Sequence, residues 1–309
     1  MNGPPRPWST GRPQPATCTA LAAAGLDLGE VERVVRLAFD EDLALGPDLT
    51  TQATVAHGAL ASGQVVARSA GTLAAIPVAA AVLEILAGDA VSVTARRADG
   101  ERVSAGDVVL DVEGPAWALL TAERTMLNLL GHLCGVATLT RAWVDAVAGT
   151  GAALRDTRKT TPGLRALEKY AVRCGGGVNH RMALGDRALI KDNHVLAAGG
   201  VAAAFRAVRR AHPDVVVQVE CDTVAQVRQA LDAWARLLLL DNMPLEQLRQ
   251  SVALARARAT DIRLEASGGL SLQGAREVAE TGVDYLAVGA LTHSAPVLDL
   301  GFDLATTSR

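Results

Sequence analysis

The sequence lacks the cysteine pattern, the excess of charge and the long apolar runs that mark several classes of protein. Its four cysteines are scattered, and the net charge is only −3. No Cys-x-x-Cys pair occurs, so a zinc site and a disulfide framework are not indicated. The near balance of charge argues against a general nucleic-acid or membrane-surface binder. The sequence contains no run of about 18 apolar residues, so no membrane span is predicted. We expect a cytoplasmic protein.

Aromatic residues are also scarce, at 3% of the chain, although 50% of the residues are hydrophobic. Ala, Val and Leu must therefore fill the core. The 309 residues are enough for one large domain or two modest ones. The first residues are rich in Pro, Thr and Gly and lack the apolar segment of a signal peptide. Residues 1–20 are therefore predicted to be a disordered tail.

The part of the chain that follows mixes strand-like and helical patterns. Residues 63–114 contain short β-branched runs broken by glycine, with the helix-like run "IPVAAAVLEIL" between them, which predicts an α+β region. Residues 117–147 have a helical pattern in which Gly131 and Gly135 predict an interruption. We expect two helices there, and the passage into a second domain.

The second half of the chain repeats an apolar run that ends in polar residues or glycine. The runs are "AALRDTRK", "ALIKDNH", "VVVQVECD", "LLLLDNM", "IRLEASGG" and "YLAVGAL". Helix-like segments fill the intervals, and alternating strands and helices predict an α/β fold with a parallel sheet. So many similar units predict closure into a barrel, whose active site lies at the carboxyl ends of the strands.

Five basic residues lie near the first two of these strand ends. Arg158 and Lys159 follow the first run, His180 and Arg181 follow a triple glycine, and Lys191 follows the second run. Arginine forks bind carboxylates and phosphates at two points, and lysine supplies a point charge. The pattern predicts an anion-binding socket, with a solvated basic loop as the alternative.

Two carboxylates end strongly apolar runs. Glu220 ends "VVVQVE" and Asp241 ends "LLLLD". A carboxylate at the exit of a buried strand needs a cationic partner. Mg²⁺ binds one or two protein carboxylates together with phosphate oxygens of a substrate. A Mg²⁺ site is one interpretation and an ion pair with Lys191 or Arg158 is the other, and the two are compatible.

Glycines end the last two runs, in "EASGGL" and "AVGAL". Glycine allows backbone N–H groups to approach an anion closely, and the last two loops of such barrels often hold a phosphate. The predicted ligand is a phosphate ester, and the surplus cations predict a second anionic substrate.

Longer motifs in both halves resemble the quinolinate phosphoribosyltransferase family. They are "ERTMLNLL", "DTRKTTPGLRALEKYAVRCGGGVNHRMALGD", "LIKDNHV", "LLLLDNM", "LEASGGL" and "TGVDYLAVGALTHS". The resemblance implies an N-terminal α/β sandwich domain, placed at residues 21–126 and joined by the C-terminal segment 296–309. It implies an incomplete six-unit parallel β/α barrel over residues 127–295. The implied reaction converts quinolinate and phosphoribosyl pyrophosphate to nicotinate mononucleotide, pyrophosphate and CO₂ with Mg²⁺, in a homodimer.

The resemblance also implies roles for individual residues. The residues implied to hold the two carboxylates of quinolinate are Arg158, His180, Arg181 and Lys191. Those implied to act on the phosphoribosyl donor are Lys159, Lys191, Glu220 and Asp241, the two acids also binding the metal. Those implied to complete the substrate site, with the glycine-bearing ends around the 5′-phosphate, are Thr157, Ala266, Ser267, Gly268, Gly269, Ala287, Val288, Gly289, Ala290 and His293. Arg124 is implied to reach the active site of the other subunit.

Three other functions fit part of the pattern. A class I aldolase-type barrel would use Lys191 as its Schiff-base amine. A relative of the same fold found beside molybdate transporters would act on another ligand. A catalytically silent phosphate-binding barrel would need none of the acids. The full set of cations favours quinolinate.

Overall fold

The chain, described by a computed structural model over residues 11–306, folds into two units. The first comprises Met1–Leu139, Thr161–Gly175 and Ser294–Arg309, and the second comprises Thr140–Thr160 and Gly176–His293. The boundary therefore lies at residue 139 and not at residue 126 as the sequence suggested. Within the described residues, no helix has the length and apolar character that crossing a membrane requires.

The first unit is built on an antiparallel sheet with helices. Its helices are α1 (Pro15–Ala23), α2 (Leu28–Asp42), α3 (Leu49–Thr54), α4 (Ile76–Ala87), α5 (Ala116–Ala146, whose last residues belong to the second unit) and α6 (Arg165–Cys174). Its strands are β1 (Leu60–Ala67), β2 (Gly71–Thr72), β3 (Ser92–Ala95), β4 (Arg102–Val103), β5 (Val108–Pro115) and β12 (Leu300–Thr306). The main sheet has the order β12-β1-β5-β3, and β2 pairs with β4. The predicted helix "IPVAAAVLEIL" is α4, and it is buried from Val78 to Leu86.

The predicted disordered tail is wrong for residues 15–20, which belong to α1. The buried carboxylate of Glu84 holds this helix. Its Oε2 accepts the backbone N–H of Gln14 and its Oε1 accepts the hydroxyl of Thr17, both at 2.8 Å. Residues 1–10 lie outside the described part of the chain.

The predicted interruption at Gly131 and Gly135 is also wrong, because α5 is a single helix of 31 residues. Instead, the two glycines allow the backbone of residues 296–298 to pack closely against α5. A Cβ at Gly135 would lie 2.1 Å from the carbonyl oxygen of Pro296, and one at Gly131 would lie 3.0 Å from that of Leu298. The boundary between the two units falls within this continuous helix, after Leu139.

The second unit contains all six predicted strands, which confirms the α/β class. They are β6 (Ala153–Arg155), β7 (Ala188–Ile190), β8 (Val217–Cys221), β9 (Leu237–Asp241), β10 (Arg263–Ser267) and β11 (Tyr285–Ala287). The helices that follow are α7 (Asp192–Ala198), α8 (Val201–Ala211), α9 (Val224–Asp232), α10 (Leu245–Arg258), α11 (Ala275–Ala279) and α12 (Ala290–His293). All the strand pairs are parallel, in the order β6-β11-β10-β9-β8-β7.

The parallel sheet remains open between β6 and β7, as expected of an incomplete barrel. In the described part of the chain, β6 and β7 form the two ends of the strand order. Val178 pairs with the free side of β6: its N–H donates to the carbonyl of Leu154 at 2.8 Å, and its carbonyl accepts from Asp156 at 3.2 Å. This pairing fixes the segment that carries His180 and Arg181 beside the end of β6.

Candidate active site

A cavity of about 470 Å³ lies at the carboxyl ends of the six parallel strands. The residues of the predicted site that line it are Thr157, Arg158, Lys159, His180, Arg181, Lys191, Glu220, Asp241, Ser267, Gly268, Gly269, Ala287, Val288, Gly289, Ala290 and His293. Parallel strands bring their carboxyl ends to one edge, and this edge gathers basic side chains that are far apart in sequence. Arg158 and Lys191 line the same cavity.

Two predicted residues do not line this cavity. Ala266 is buried within β10, at 1% exposure. Arg124 belongs to the first unit, where it is an exposed residue of α5. The lining residues that the sequence did not predict are Leu189, Leu239, Glu265 and Leu270. A signal for Glu265 was available, because it is a lone acid in the apolar run "IRLEA".

The guanidinium groups of Arg158 and Arg181 form the basic side of the cavity. Burial and the charge of Arg158 lower the pKa of Arg181. The Nε of Arg158 is buried and has no hydrogen-bond partner within the described residues. Two neighbouring cations and an unpaired buried donor are the features expected of a site that awaits an anion.

The ammonium of Lys191 and the carboxylate of Glu220 meet at the exits of β7 and β8. Their Nζ and Oε2 atoms lie 3.5 Å apart. The pKa of Glu220 is raised above its ordinary value, chiefly by burial and also by the charge of the nearby Asp241, while Lys191 opposes this shift. The ion pair predicted as an alternative to a Mg²⁺ site is therefore present between Lys191 and Glu220.

A third acid accompanies the two that the sequence predicted. Glu220, Asp222 and Asp241 each offer a carboxylate oxygen, and these atoms lie within 4.8 Å of one another. Hard oxygen donors at this spacing fit Mg²⁺. Asp222 follows the end of β8 and is the last residue of the run "VVVQVECD", so the pattern contained it although only Glu220 was predicted to belong to the site.

His180 is buried, and the protein already binds both nitrogens of its ring. Nδ1 accepts the backbone N–H of Arg181 at 2.8 Å, and Nε2 lies 2.8 Å from Oε1 of Gln218. The Nε2 of Gln218 donates to Oε2 of Glu265 at 3.0 Å, and Nη1 of Arg155 donates to the same oxygen at 2.6 Å. Burial lowers the pKa of His180.

Glycine permits close packing where β11 ends. A Cβ at Gly289 would lie 2.8 Å from Cδ of Lys159 and 3.2 Å from Nε2 of His293. The hydroxyl of Thr292 donates to the backbone carbonyl of Lys159 at 2.8 Å. The short segment after β11 therefore fixes Lys159 against the wall of the cavity.

A second glycine is required where β10 ends. Gly268 has φ +84°, and a Cβ there would lie 2.3 Å from Oδ1 of Asn242. The backbone N–H groups without an acceptor among the described residues include those of Gly268, Gly269, Gly289 and Ala290. All four residues line the cavity, so their amides can serve an anion.

Comparison with known proteins identifies the family. The models described as quinolinate phosphoribosyl transferase, N-terminal domain and C-terminal domain, match residues 48–134 and 136–303. The nicotinate-nucleotide pyrophosphorylase (carboxylating) of Mycobacterium leprae (strain TN) is 55% identical over 271 residues, which are 87% of this chain and 95% of that protein. A probable nicotinate-nucleotide pyrophosphorylase (carboxylating) of Bacillus subtilis (strain 168) is 38% identical over 281 residues, which are 91% of this chain and 95% of the relative.

A solved structure shares the same fold. NadC from Streptococcus pyogenes matches with a TM-score of 0.86 and 36% identity, over 92% of this chain and 99% of that one. Together with these relatives, the open parallel barrel and its basic cavity define an α/β enzyme. The two family models together match more than half of the chain, and the chain belongs to the quinolinate phosphoribosyltransferase family.

Proposed function

We propose that this protein converts quinolinate and phosphoribosyl pyrophosphate to nicotinate mononucleotide, pyrophosphate and CO₂. The observation that carries the proposal is the convergence of basic side chains, the acids Glu220 and Asp241 and backbone amides on one cavity, with Asp222 close to the two acids. The family membership supports the same reaction, because its relatives carry the name nicotinate-nucleotide pyrophosphorylase (carboxylating). The molybdate-associated relative and the silent barrel gain no comparable support.

The two carboxylates of quinolinate bind to the basic side of the cavity. Arg158 and Arg181 supply planar forks suited to two-point contacts, and Lys191 adds a point charge. The unpaired Nε of Arg158 supports this assignment. Neighbouring cations repel each other less once a dianion lies between them, so the site is selective for a diacid.

The phosphoribosyl donor binds across the acids and the glycine-bearing ends. Glu220 and Asp241 accept hydrogen bonds from the ribose hydroxyls, and the amides of Gly268 and Gly289 donate to the 5′-phosphate. Lys159 faces the pyrophosphate. The residues that would hold Mg²⁺ are Glu220, Asp222 and Asp241. When bound, this ion offsets negative charge on the pyrophosphate.

The chemistry requires positioning more than a strong base. The pyridine nitrogen attacks the anomeric carbon while the bond to pyrophosphate breaks, so positive charge grows on the sugar and negative charge on the leaving group. Lys159 and Lys191 stabilise the leaving group, and the carboxylates of Glu220 and Asp241 favour the charge on the sugar. The carboxylate next to the nitrogen then leaves as CO₂, and its electron pair stays on the ring carbon as a carbanion that the adjacent cationic nitrogen stabilises. This carbon takes a proton from water to give nicotinate mononucleotide.

An assay of two pyridine acids tests the reaction. The purified protein is incubated with phosphoribosyl pyrophosphate, Mg²⁺ and either quinolinate or nicotinate. We expect quinolinate to be consumed with equal release of CO₂ and pyrophosphate, and nicotinate to remain. Phosphoribosyl pyrophosphate that binds without any turnover would instead support a silent phosphate-binding protein.

We also propose that the active enzyme is a homodimer, with Arg124 of the partner subunit completing each cavity. Arg124 is exposed on α5, so it is free to serve another subunit. A mixture of inactive Arg124→Ala and Arg158→Ala protomers tests this arrangement, because a mixed dimer keeps one intact site. Subunit exchange in an equal mixture should restore about a quarter of the wild-type activity. No recovery after confirmed exchange would contradict the shared site.

A further inference from the structure

The imidazole of His180 has one tautomer that satisfies its surroundings. A backbone amide only donates, so Nδ1, which accepts the N–H of Arg181, carries no proton. The proton is therefore on Nε2, from which it is donated to Oε1 of Gln218 at 2.8 Å. An imidazolium ring would place a second N–H against the amide of Arg181. The geometry requires a neutral ring.

A buried chain of hydrogen bonds that begins at the carboxylate of Glu265 and passes through Gln218 sets the tautomer of His180. The carboxylate of Glu265 only accepts, so the amide nitrogen of Gln218 faces it and the amide oxygen of Gln218 faces His180. Arg155 holds Glu265 through its Nη1, and the same guanidinium lies 3.5 Å from the ring centre of Tyr285. Gln218 and Glu265 are fully buried, so water does not compete for these contacts.

The other side of the imidazole fixes the backbone of Arg181. The N–H of His180 donates to Oδ1 of Asp156 at 2.7 Å, and the N–H of Arg181 donates to the ring. Nη1 of Arg181 donates in addition to the carbonyl of Arg187 at 3.0 Å. Arg181 is thereby held both by its backbone N–H and by its guanidinium, which lies beside that of Arg158.

We propose that His180 is a positioning residue that acts on the diacid through Arg181, and that Gln218 is the residue that sets its tautomer. This inference rests on the proposed function, because the ligand of Arg181 is there taken to be a carboxylate of quinolinate. It assigns His180 no direct contact with the substrate, since neither ring nitrogen is available without breaking a bond to the protein. It assigns Gln218 a role in substrate affinity although Gln218 does not line the cavity.

The charges around the ring agree with a neutral state. Glu265 favours protonation, while Arg155 and Arg187 oppose it, and Asp156 is engaged by the backbone of His180. Burial is the largest influence, and it lowers the pKa of His180 below its ordinary value of 6.5. The ring is therefore uncharged near neutral pH.

The first test needs neither a variant nor turnover. Nitrogen-15 NMR of the histidine rings distinguishes the two neutral tautomers and the imidazolium, and His180→Asn assigns the signal. We expect the wild-type protein to have Nε2 protonated and Nδ1 unprotonated at pH 7. A proton on Nδ1, in either the other tautomer or the charged ring, would overturn the proposal even if the protein turns over quinolinate.

The second test uses two side chains that each imitate half of the ring. Asparagine can place an oxygen near the position of Nδ1, and glutamine can place a nitrogen near that of Nε2. If His180 acts through Arg181, His180→Asn keeps a KM for quinolinate near that of the wild type. His180→Gln then raises this KM by about tenfold, as expected for one lost hydrogen bond in the binding geometry. The opposite order would assign His180 a direct contact with the substrate and overturn the proposal.

The third test addresses Gln218. Gln218→Leu should raise the KM for quinolinate by about tenfold and leave the KM for phosphoribosyl pyrophosphate within about twofold. Gln229→Leu, on the exposed side of α9, is the matched control and should change neither. A general loss of packing would shift both KM values and the melting temperature together, and that result would assign Gln218 a structural role only. Absence of quinolinate turnover in the wild type contradicts the proposed function, and the NMR experiment still decides the tautomer.

Discussion

The ammonium of Lys191 lies 3.5 Å from the carboxylate of Glu220, at the ends of two adjacent parallel strands. The lysine side chain is half exposed, whereas that of Glu220 is 10% exposed. A mostly shielded acid thus holds an accessible cation at the cavity. Because the pair is half open to solvent, its attraction alone contributes little to the stability of the fold. We expect the pair to serve instead to present a cation to a substrate.

Chemical modification of lysine tests this arrangement without altering the sequence. The chain has three lysines, Lys159, Lys169 and Lys191. Lys169 is fully buried, so it serves as an internal control that should not react with acetic anhydride in the folded protein. We expect Lys159 and Lys191 to react, and phosphoribosyl pyrophosphate with Mg²⁺ to slow both reactions, as measured by mass spectrometry. Equal modification with and without saturating donor would remove these lysines from the donor site.

Arg158→Ala should abolish most turnover of quinolinate while the fold persists. The side chain lines the cavity and its Nε has no partner among the described residues, so its removal strands no acceptor within them. A lost charge-assisted contact should lower kcat/KM for quinolinate by about 10- to 100-fold. Arg158→Lys keeps the charge but loses the fork, and should recover only part of the activity. Arg228→Ala, exposed on α9, is the control, and unchanged kinetics for Arg158→Ala would contradict the assignment.

The sequence predicted the residues that stand at strand ends and missed those whose role depends on side-chain direction. Glu220 and Asp241 were visible because each interrupts an apolar run. Gln218 is two residues before Glu220, so it lies on the same face of β8. That relation was visible in "VVVQVE", but the partner of Gln218 is Glu265, on β10. No local pattern contains such a contact.

Contacts between distant segments also explain the errors in the fold. The tail was predicted to be disordered from its composition, yet α1 is held by Glu84, more than 60 residues away. Gly135 suggested a break in a helix, whereas it accommodates the backbone of Pro296. Glycine has the same appearance in a sequence whether it ends an element or admits a neighbour. Only the position of the neighbour distinguishes the two.

Asp222→Asn should raise the concentration of Mg²⁺ that half-saturates the reaction. Its carboxylate is one of three that meet within 4.8 Å, and an amide is a weaker ligand for a hard cation. We expect a shift of about tenfold for Asp222→Asn, and a larger one for Asp241→Asn. Binding of Mn²⁺ to the protein, followed by its paramagnetic signal, measures the effect without turnover. The exposed Asp214→Asn is the control, and equal Mn²⁺ affinity in all three variants would contradict a metal site here.

The protonation of His180 should make the folded protein less stable as the pH falls. Burial lowers the pKa of this ring below 6.5, so on acidification the unfolded chain binds a proton before the folded protein does. The free energy of unfolding therefore falls as the pH drops below about 6.5 and through the folded-state pKa. His180→Asn removes this dependence, so the difference in stability between the two proteins should narrow on acidification. Denaturation by urea at pH 7.5 and pH 5.5 measures it, and a difference that widens at pH 5.5 would contradict a neutral buried ring.

Gly289→Ala should weaken the binding of phosphoribosyl pyrophosphate more than it weakens the fold. A Cβ there would lie 2.8 Å from Cδ of Lys159, and this long side chain can move aside, so the substitution displaces the cation without a backbone clash. It also crowds an amide that has no acceptor among the described residues. We expect the KM for the donor to rise by about tenfold, with a small change in melting temperature. Gly185→Ala, where a Cβ meets nothing within 4 Å, should leave both quantities unchanged. If Gly289→Ala lowers the melting temperature and leaves the KM for the donor unaltered, the glycine serves the packing of α12 and not the substrate.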